Sequence, residues 1–310
     1  MYYPYLRGKQ FELLALREYA QLQDSREYVL PIIEPVKLTF NGINKAIEEL
    51  NARNVSVAIV QNPQVGDLVG LEERIESEVR YLPNCKRAYI VRNDQYDIEQ
   101  KLKKSSLECI LIITADSMVE EEDILKLCSH KNVSMVFVDD KHKNIRRKIR
   151  KLLPSLKIVL LNDNFVAQPR NADYLNAEDE LFSEDYFYYT EDNYQGISDY
   201  TVLPSQYSEG GRLPYAVAIH LTYIKGDQVR IHHFISDSNY DTADIQGKFK
   251  EAAMKAVNFC KTNAIETEGV KLLTFYVVNG VYPGLGMLKK ISILNHLEIV
   301  KSVLTDRTTF

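Results

Sequence analysis

The stretch SMVFVDDKH, residues 134–142, runs a short apolar segment straight into two carboxylates, Asp139 and Asp140. A run fit for a protein core thus ends on the groups that least tolerate one. The same ending recurs in LPIIEPVK (30–37), VAIVQNPQ (57–64), AYIVRNDQ (88–95), LIITADS (111–117) and IVLLNDNF (158–165). These runs are rich in Ile, Val and Leu and lack clean period-2 alternation. Strands buried on both faces read this way, as in a parallel sheet covered by helices.

Working outward, strands are expected at 2–6, 29–36, 55–61, 87–92, 108–114, 133–138 and 157–161. Pro4 makes the first the weakest. Helical periodicity fills the gaps at 9–22, 43–53, 70–81, 97–104, 120–129 and 144–153. In 9–22 the stripe falls on Phe11, Leu14 and Leu22, with Glu12, Arg17 and Glu18 left for solvent. The spacing between strands, about 20–30 residues, is that of one βα unit. Seven such units in succession suit an α/β fold of the (β/α)8 TIM-like barrel type better than an open doubly wound sheet. No GxGxxG follows the early strands, which weakens a dinucleotide-binding version of the latter.

Beyond residue 164 the rhythm breaks. Residues 165–195 are acidic and Tyr-rich, and too long for an ordinary connection; they read as an ordered excursion or a lid. ISDYTVLP (197–204) supplies an eighth strand. Residues 215–236 read as a β-hairpin turning at Lys225-Gly226-Asp227-Gln228. A helix is expected over 241–263, a strand over 272–278 and a closing helix over 285–304, so the C-terminal third is irregular and partly antiparallel. The expected organisation is one barrel domain over 1–310, with the 165–195 insertion and the 215–236 hairpin appended.

A net charge of -5 gives no global attraction to nucleic acid or acidic membranes. The one basic tract, NIRRKIRK (144–151), keeps an amphipathic period and reads as a solvated helix face. The four cysteines, Cys85, Cys109, Cys128 and Cys260, are far apart, form no CxxC pair and suit buried thiols in a reducing, cytoplasmic setting. The opening MYYPYLRGKQ lacks the apolar core of a signal peptide, and no apolar run is long enough to span a bilayer.

In a parallel barrel all strands point the same way, so the residues just past their carboxyl ends converge on one rim, where active sites lie. On that rim fall Arg7 and Lys9, then Glu34 and Lys37, Gln61 and Asn62, and Arg92, Asn93 and Asp94. Asp116, Asp139 with Asp140, Asn162 with Asp163, and Asp199 complete the ring. Such a mixture can bind an anion through Arg7, Lys37 and Arg92, with Asn62, Asp116 and Asp199 as further ligand contacts. Glu34, Asp139, Asp140 and Asp163 are the candidates for acid–base chemistry, or for holding a divalent metal such as Mg²⁺. Each of these residue types also caps helices and fills turns, and taken singly that is the simpler reading.

His232 and His233, adjacent on a strand, face opposite sides and cannot share a metal, whereas His220 across the hairpin can pair with either. No HExxH, GxSxG or P-loop is present. Gly210-Gly211 reads as a turn.

YYPYLRGKQFELLALRE, LPIIEPVK, QNPQVGD, GISDYTVLP, AVAIHLTY and RIHHFISDSN resemble a bacterial and phage-borne group known as beta family proteins. The likeness runs through most of the chain. It implies a TIM-barrel fold and a phage-defence role beside a co-encoded protein or against a phage protein, and brings no catalytic residues with it. Two functions follow as expectations. One is a barrel that binds, and could hydrolyse, a nucleotide- or phosphate-like ligand. The other is a non-catalytic sensor that presents its Tyr-rich insertion and hairpin to a protein partner. Direct nucleic-acid binding fits the acidic balance poorly.

Overall fold

The computed structural model describes residues 1–92, 95–209 and 213–307; Asn93, Asp94 and the expected turn at Gly210-Gly211 lie outside the described residues. The chain forms two compact units. The first takes Met1–Lys9, Ala20–Asn162 and Tyr188–Asp199; the second takes Gln10–Tyr19, Asp163–Phe187 and the chain from Tyr200 onward.

The first unit is a closed parallel barrel. Its strands are β1 (Tyr2–Leu6), β2 (Ile32–Ile33), β3 (Val57–Val60), β4 (Cys85–Ile90), β5 (Cys109–Ile113), β6 (Val133–Asp139), β7 (Lys157–Asn162) and β9 (Gly196–Asp199). They follow one another around the ring in chain order, and β9 closes on β1. This is the (β/α)8 architecture. Pro31 and Pro35 bracket β2 and explain why its regular ladder is shorter than the expected 29–36, since neither can donate. The bonds from Leu30 N to Tyr2 O and from Glu34 N to Leu6 O continue the pairing on either side.

Between the strands lie α2 (Ser25–Tyr28), α3 (Asn41–Ala52), α4 (Glu72–Glu78), α5 (Gln95–Lys104), α6 (Glu121–Cys128) and α7 (Lys143–Leu152). Helix α6 opens on Glu121, Glu122 and Asp123, which suit the positive end of a helix dipole. Helix α7 buries Ile145 and Ile149 and turns its basic residues outward, while Leu152 at its end is exposed. Several of the basic residues are engaged: Arg146 lies over the Tyr194 ring, and Arg150 donates to the carbonyls of Asp192 and Asn193. Lys148 pairs with Glu121.

Strand register decides which side chains enter the barrel. Tyr3 meets Phe137 edge-on at 5.1 Å, although β1 and β6 are not neighbours in the ring. Both rings therefore point inward. In-register partners of parallel strands share a face, so Val159 and Gly196 join Phe137, while Ser198, Leu161 and Asp139 join Tyr3. Tyr5, two residues on from Tyr3, also faces inward, beside Ile32 and Ala58. Large rings thus face Gly196, Ala58 and Ala88, and the lumen is filled rather than open. A Cβ on Gly196 would stand 2.5 Å from Tyr3 Cε2, so this position must lack one.

The second unit contains a three-stranded antiparallel sheet in the order β10 (Ala218–Lys225), β11 (Gln228–Ile235), β8 (Asp179–Ser183). The hairpin turns where expected, with Gly226 at φ +58°. The third strand was not foreseen: DELFS, inside the acidic excursion, is too short and too polar to advertise itself. The short helix α8 (Asp185–Tyr188) follows it.

Helices α1 (Gln10–Tyr19), α9 (Ile245–Thr262), α10 (Glu268–Val278) and α11 (Leu285–Arg307) belong to this unit, α8's last residue excepted. Val217, Ile219, Leu221 and Phe234 pack against Phe249, Ala252, Ala253 and Ala256 of α9. The buried face of α1 is Glu12, Leu13, Ala15, Leu16 and Tyr19, one step round from the expected stripe, and Glu12 is inside rather than solvated. The strand expected over 272–278 is part of α10. An apolar run of that length has no period of its own. The deciding signals lie upstream: Thr267 accepts from Val270 N as an N-cap, and Gly269 lets α10 approach α11, where a Cβ would fall 2.7 Å from Ile291 O. Asn295 on α11 donates to Thr222 O at 2.9 Å and accepts from Thr267, tying helix and sheet together. All four cysteines are buried thiols.

Candidate functional site

The register divides the expected rim residues. Glu34 is fully buried at the end of β2 and bound to lumenal Tyr5, whose hydroxyl donates to Glu34 Oε2 at 2.8 Å. The Arg7 guanidinium pairs with the same oxygen and lies over the Tyr5 ring. Glu34 Oε1 accepts from the backbone N–H of Gln64 at 2.7 Å. With both oxygens engaged and a cation beside them, this carboxylate is a strong orienting group for Arg7. Breaking such a buried pair would leave an uncompensated charge.

Asp139 closes β6 in the lumenal register and is 8 % exposed. Its Oδ1 accepts from Lys141 N at 3.0 Å, capping a single 3-10 turn. Burial raises its pKa above the ordinary aspartate value, against the Lys141 bond and the Lys141 and His142 charges. A carboxyl whose pKa burial raises, with one oxygen committed to the backbone, is suited to giving or taking a proton.

The remaining residues each have partners of their own. Asp140 is exposed and pairs with Lys143 at 3.3 Å, and Lys37 pairs with Asp67 at 3.3 Å on the surface. Arg92 and Asp116 bind each other at 2.7 Å. Although burial pushes the Asp116 pKa up, its bonds to Thr114 and Arg92 outweigh that and hold it below the usual value. Asn62 donates to Ile90 O and accepts from Ile90 N, extending the sheet where the β3 ladder ends. Asp199 is in register with Pro4 on the outer face of the barrel, where it accepts from the Tyr2 hydroxyl at 2.7 Å. Asp163 falls in the second unit, accepting from Ser205 N at 3.1 Å and from its hydroxyl.

Tyr5 was missed by sequence reasoning. Its signal is spacing alone: in YYPYLR, Tyr3, Tyr5 and Arg7 share one face of a strand. His142 was also missed; its Nε2 contacts Thr114 O at 2.9 Å. It lines, with Lys141, Lys143, Asn144 and Glu121, an open groove of about 270 Å³ just past the end of β6. Among the described residues no cluster of three or more His, Cys, Asp or Glu side chains is placed to hold a metal ion. No described helix is long and apolar enough to cross a membrane.

No family model matches the chain, and no curated protein does. Among solved structures, the chain is similar to the N-acetylneuraminate lyase of Mycoplasma synoviae, with 11 % identity, 97 % of each chain covered and a TM-score of 0.42. It is also similar to the HpcH/HpaI aldolase of Desulfitobacterium hafniense DCB-2, at 12 % identity over 64 % of this chain and 85 % of that one, with a TM-score of 0.34. Likenesses this distant carry neither an activity nor a site. The barrel class itself rests on the strand order and register described above.

Proposed function

We propose that the lumenal rim binds a small anionic ligand of nucleotide or phosphate type, with Arg7 as its anchor and Asp139 as an acid–base group. The observation that supports this is the pairing of an Arg fixed by a saturated buried carboxylate with a half-committed, raised-pKa Asp across the same lumen. A guanidinium so oriented presents its fork to the paired oxygens of a phosphate group. Hydrolysis is the natural extension: ionised Asp139 takes a proton from water, the resulting hydroxide attacks phosphorus, and the leaving oxygen departs. Glu34 orients Arg7 in this scheme. In the phage-defence setting that the sequence resemblance implies, the ligand is a nucleotide.

The partner-binding reading needs exposed rings. Of the tyrosines in 174–207, Tyr174, Tyr186, Tyr189, Tyr194 and Tyr200 are buried, and Tyr188 is exposed at 37 %. The ligand reading is therefore the stronger.

Thermal-shift titration with phosphate, pyrophosphate and nucleoside di- and triphosphates, each with and without Mg²⁺, tests it. A ligand at 100 times its Kd stabilises by about 2.7 kcal/mol, an easily measured rise in melting temperature. The rise should shrink in Arg7→Lys, which keeps the charge but loses the fork, and turnover should vanish in Asp139→Asn with binding retained. Absence of a shift with every one of these anions would sink the proposal.

A further inference from the structure

The second unit holds a cluster of titratable groups that the barrel rim does not use. His220 on β10 and His233 on β11 are in register across the hairpin, and their Nδ1 atoms are 2.6 Å apart. His233 Nε2 lies 3.2 Å from Glu180 Oε2 on β8. His232 faces the other way, its ring against Phe234 and Phe259. Two imidazole nitrogens at 2.6 Å must have one proton between them, for two lone pairs repel and so do two N–H groups.

The carboxylate decides whose proton it is. Facing Glu180, His233 Nε2 carries hydrogen, so its Nδ1 is an acceptor. The shared proton then belongs to His220 Nδ1. This leaves His220 Nε2 with its lone pair, and it has no hydrogen-bond partner among the described residues. The tautomer is thus set from the far end of the chain of bonds. His233 is 1 % exposed, while His220 is only partly buried. Phe165 and Tyr174 pack on both imidazoles, with Tyr174 ring centroids at 4.7 and 4.5 Å. The exposed Lys289 of α11 acts on His220 electrostatically.

We propose that Glu180, His233 and His220 form a proton relay, and that His220 Nε2 is a second proton-accepting site, directed at water or the hydroxyl of a small ligand whose negative charge faces Lys289. A proton arriving at His220 Nε2 releases the Nδ1 proton to His233 Nδ1, and the His233 Nε2 proton passes to Glu180. Both rings end neutral in the opposite tautomer, and Glu180 ends as the carboxylic acid. Burial lowers the pKa of both imidazoles, His220 to about 3 and His233 to about 4, so neither stores the charge as imidazolium. Burial also raises Glu180, the group that receives the proton. His233 and Glu180 are positioning residues, and His220 is the group a ligand would meet.

The test uses the whole protein with 15N-labelled histidine and diethyl pyrocarbonate as the probe. Long-range 1H–15N spectra at pH 7 should show His220 protonated at Nδ1 and bare at Nε2, with His233 protonated at Nε2. Carbethoxylation of His220, read by mass spectrometry, should proceed at a similar rate at pH 5 and pH 7, whereas an ordinary exposed histidine slows more than tenfold over that range. Glu180→Ala, at a partly exposed position, should scramble the His220 tautomer and change its rate several-fold while leaving His130 unaffected. His220 found protonated at Nε2, or inert to the reagent in the folded protein, or indifferent to Glu180→Ala, would overturn the relay.

Discussion

Gly196→Ala examines the lumen on which the site is built. The new Cβ would lie 2.5 Å from Tyr3 Cε2 and 2.9 Å from Met1 O, where ordinary contact begins at 3.4 Å. The Tyr3 ring must withdraw by nearly an ångström or the two strands must part. Overpacking of this kind costs about 1–3 kcal/mol. If the ring also leaves Phe137, the lost edge contact adds about 0.5–1.5 kcal/mol. The expected loss is therefore roughly 2–4 kcal/mol. The chain has no Trp, so urea unfolding followed by far-UV circular dichroism is the appropriate assay. If the two units melt separately, the barrel transition alone should shift. Tyr3→Leu in the Gly196→Ala background should recover about 1 kcal/mol or more relative to additivity, since the two side chains contend for one space. A loss below about 0.5 kcal/mol for Gly196→Ala would mean that Tyr3 does not lie across the lumen, and the register argument for Asp139 would fall with it.

Two further outcomes follow from the second unit. Glu298 on α11 accepts from the N–H groups of Glu268 and Gly269, yet burial lifts its pKa to about 7. The folded value lies above the unfolded one, so the native state binds the extra proton between pH 4.5 and 7 and stability falls as pH rises through that window. Discounted for its partial exposure, the effect is about 1–2 kcal/mol, and Glu298→Gln should remove it when melting is compared at pH 5 and pH 8. Gly269→Ala would set a Cβ 2.7 Å from Ile291 O and 2.9 Å from Asn295 N, backbone atoms that cannot swing aside. A loss of about 2–3 kcal/mol is expected, read by the same urea titration, against the small gain an Ala normally brings within a helix.

The barrel was legible because a doubly buried parallel strand has a signature, an unbroken Ile/Val run ending on polar groups, and the chain repeats it. The rim was legible only as a list. The property that makes such strands recognisable, the want of alternation, hides which side chains face inward. Asp139 and Asp140 are adjacent and alike in sequence, yet one is lumenal and the other pairs with Lys143 in solvent. Nor could spacing tell that Asp199, on the last strand of the ring, faces outward to Tyr2. In the second unit, DELFS and LLTFYVV were obscure for opposite reasons. The first is too polar to look like a strand, and the second is too uniformly apolar to show a helical period.

The contact between Phe11 and Gly286 is so close that no side chain fits at the glycine, and Glu18 pairs with Lys290 beside it. Helix α1 therefore has its packing partner about 275 residues downstream. At a synthesis rate of roughly 5–20 residues per second, Leu13 and Leu16 wait on the order of 15–55 s on the ribosome before the surface that covers them exists. Helix α1 is thus made well before the surface that shelters it. A truncation that removes α11 would then strip cover from α1, and a nascent chain stalled before residue 285 would present that helix to whatever chaperone or protease is at hand.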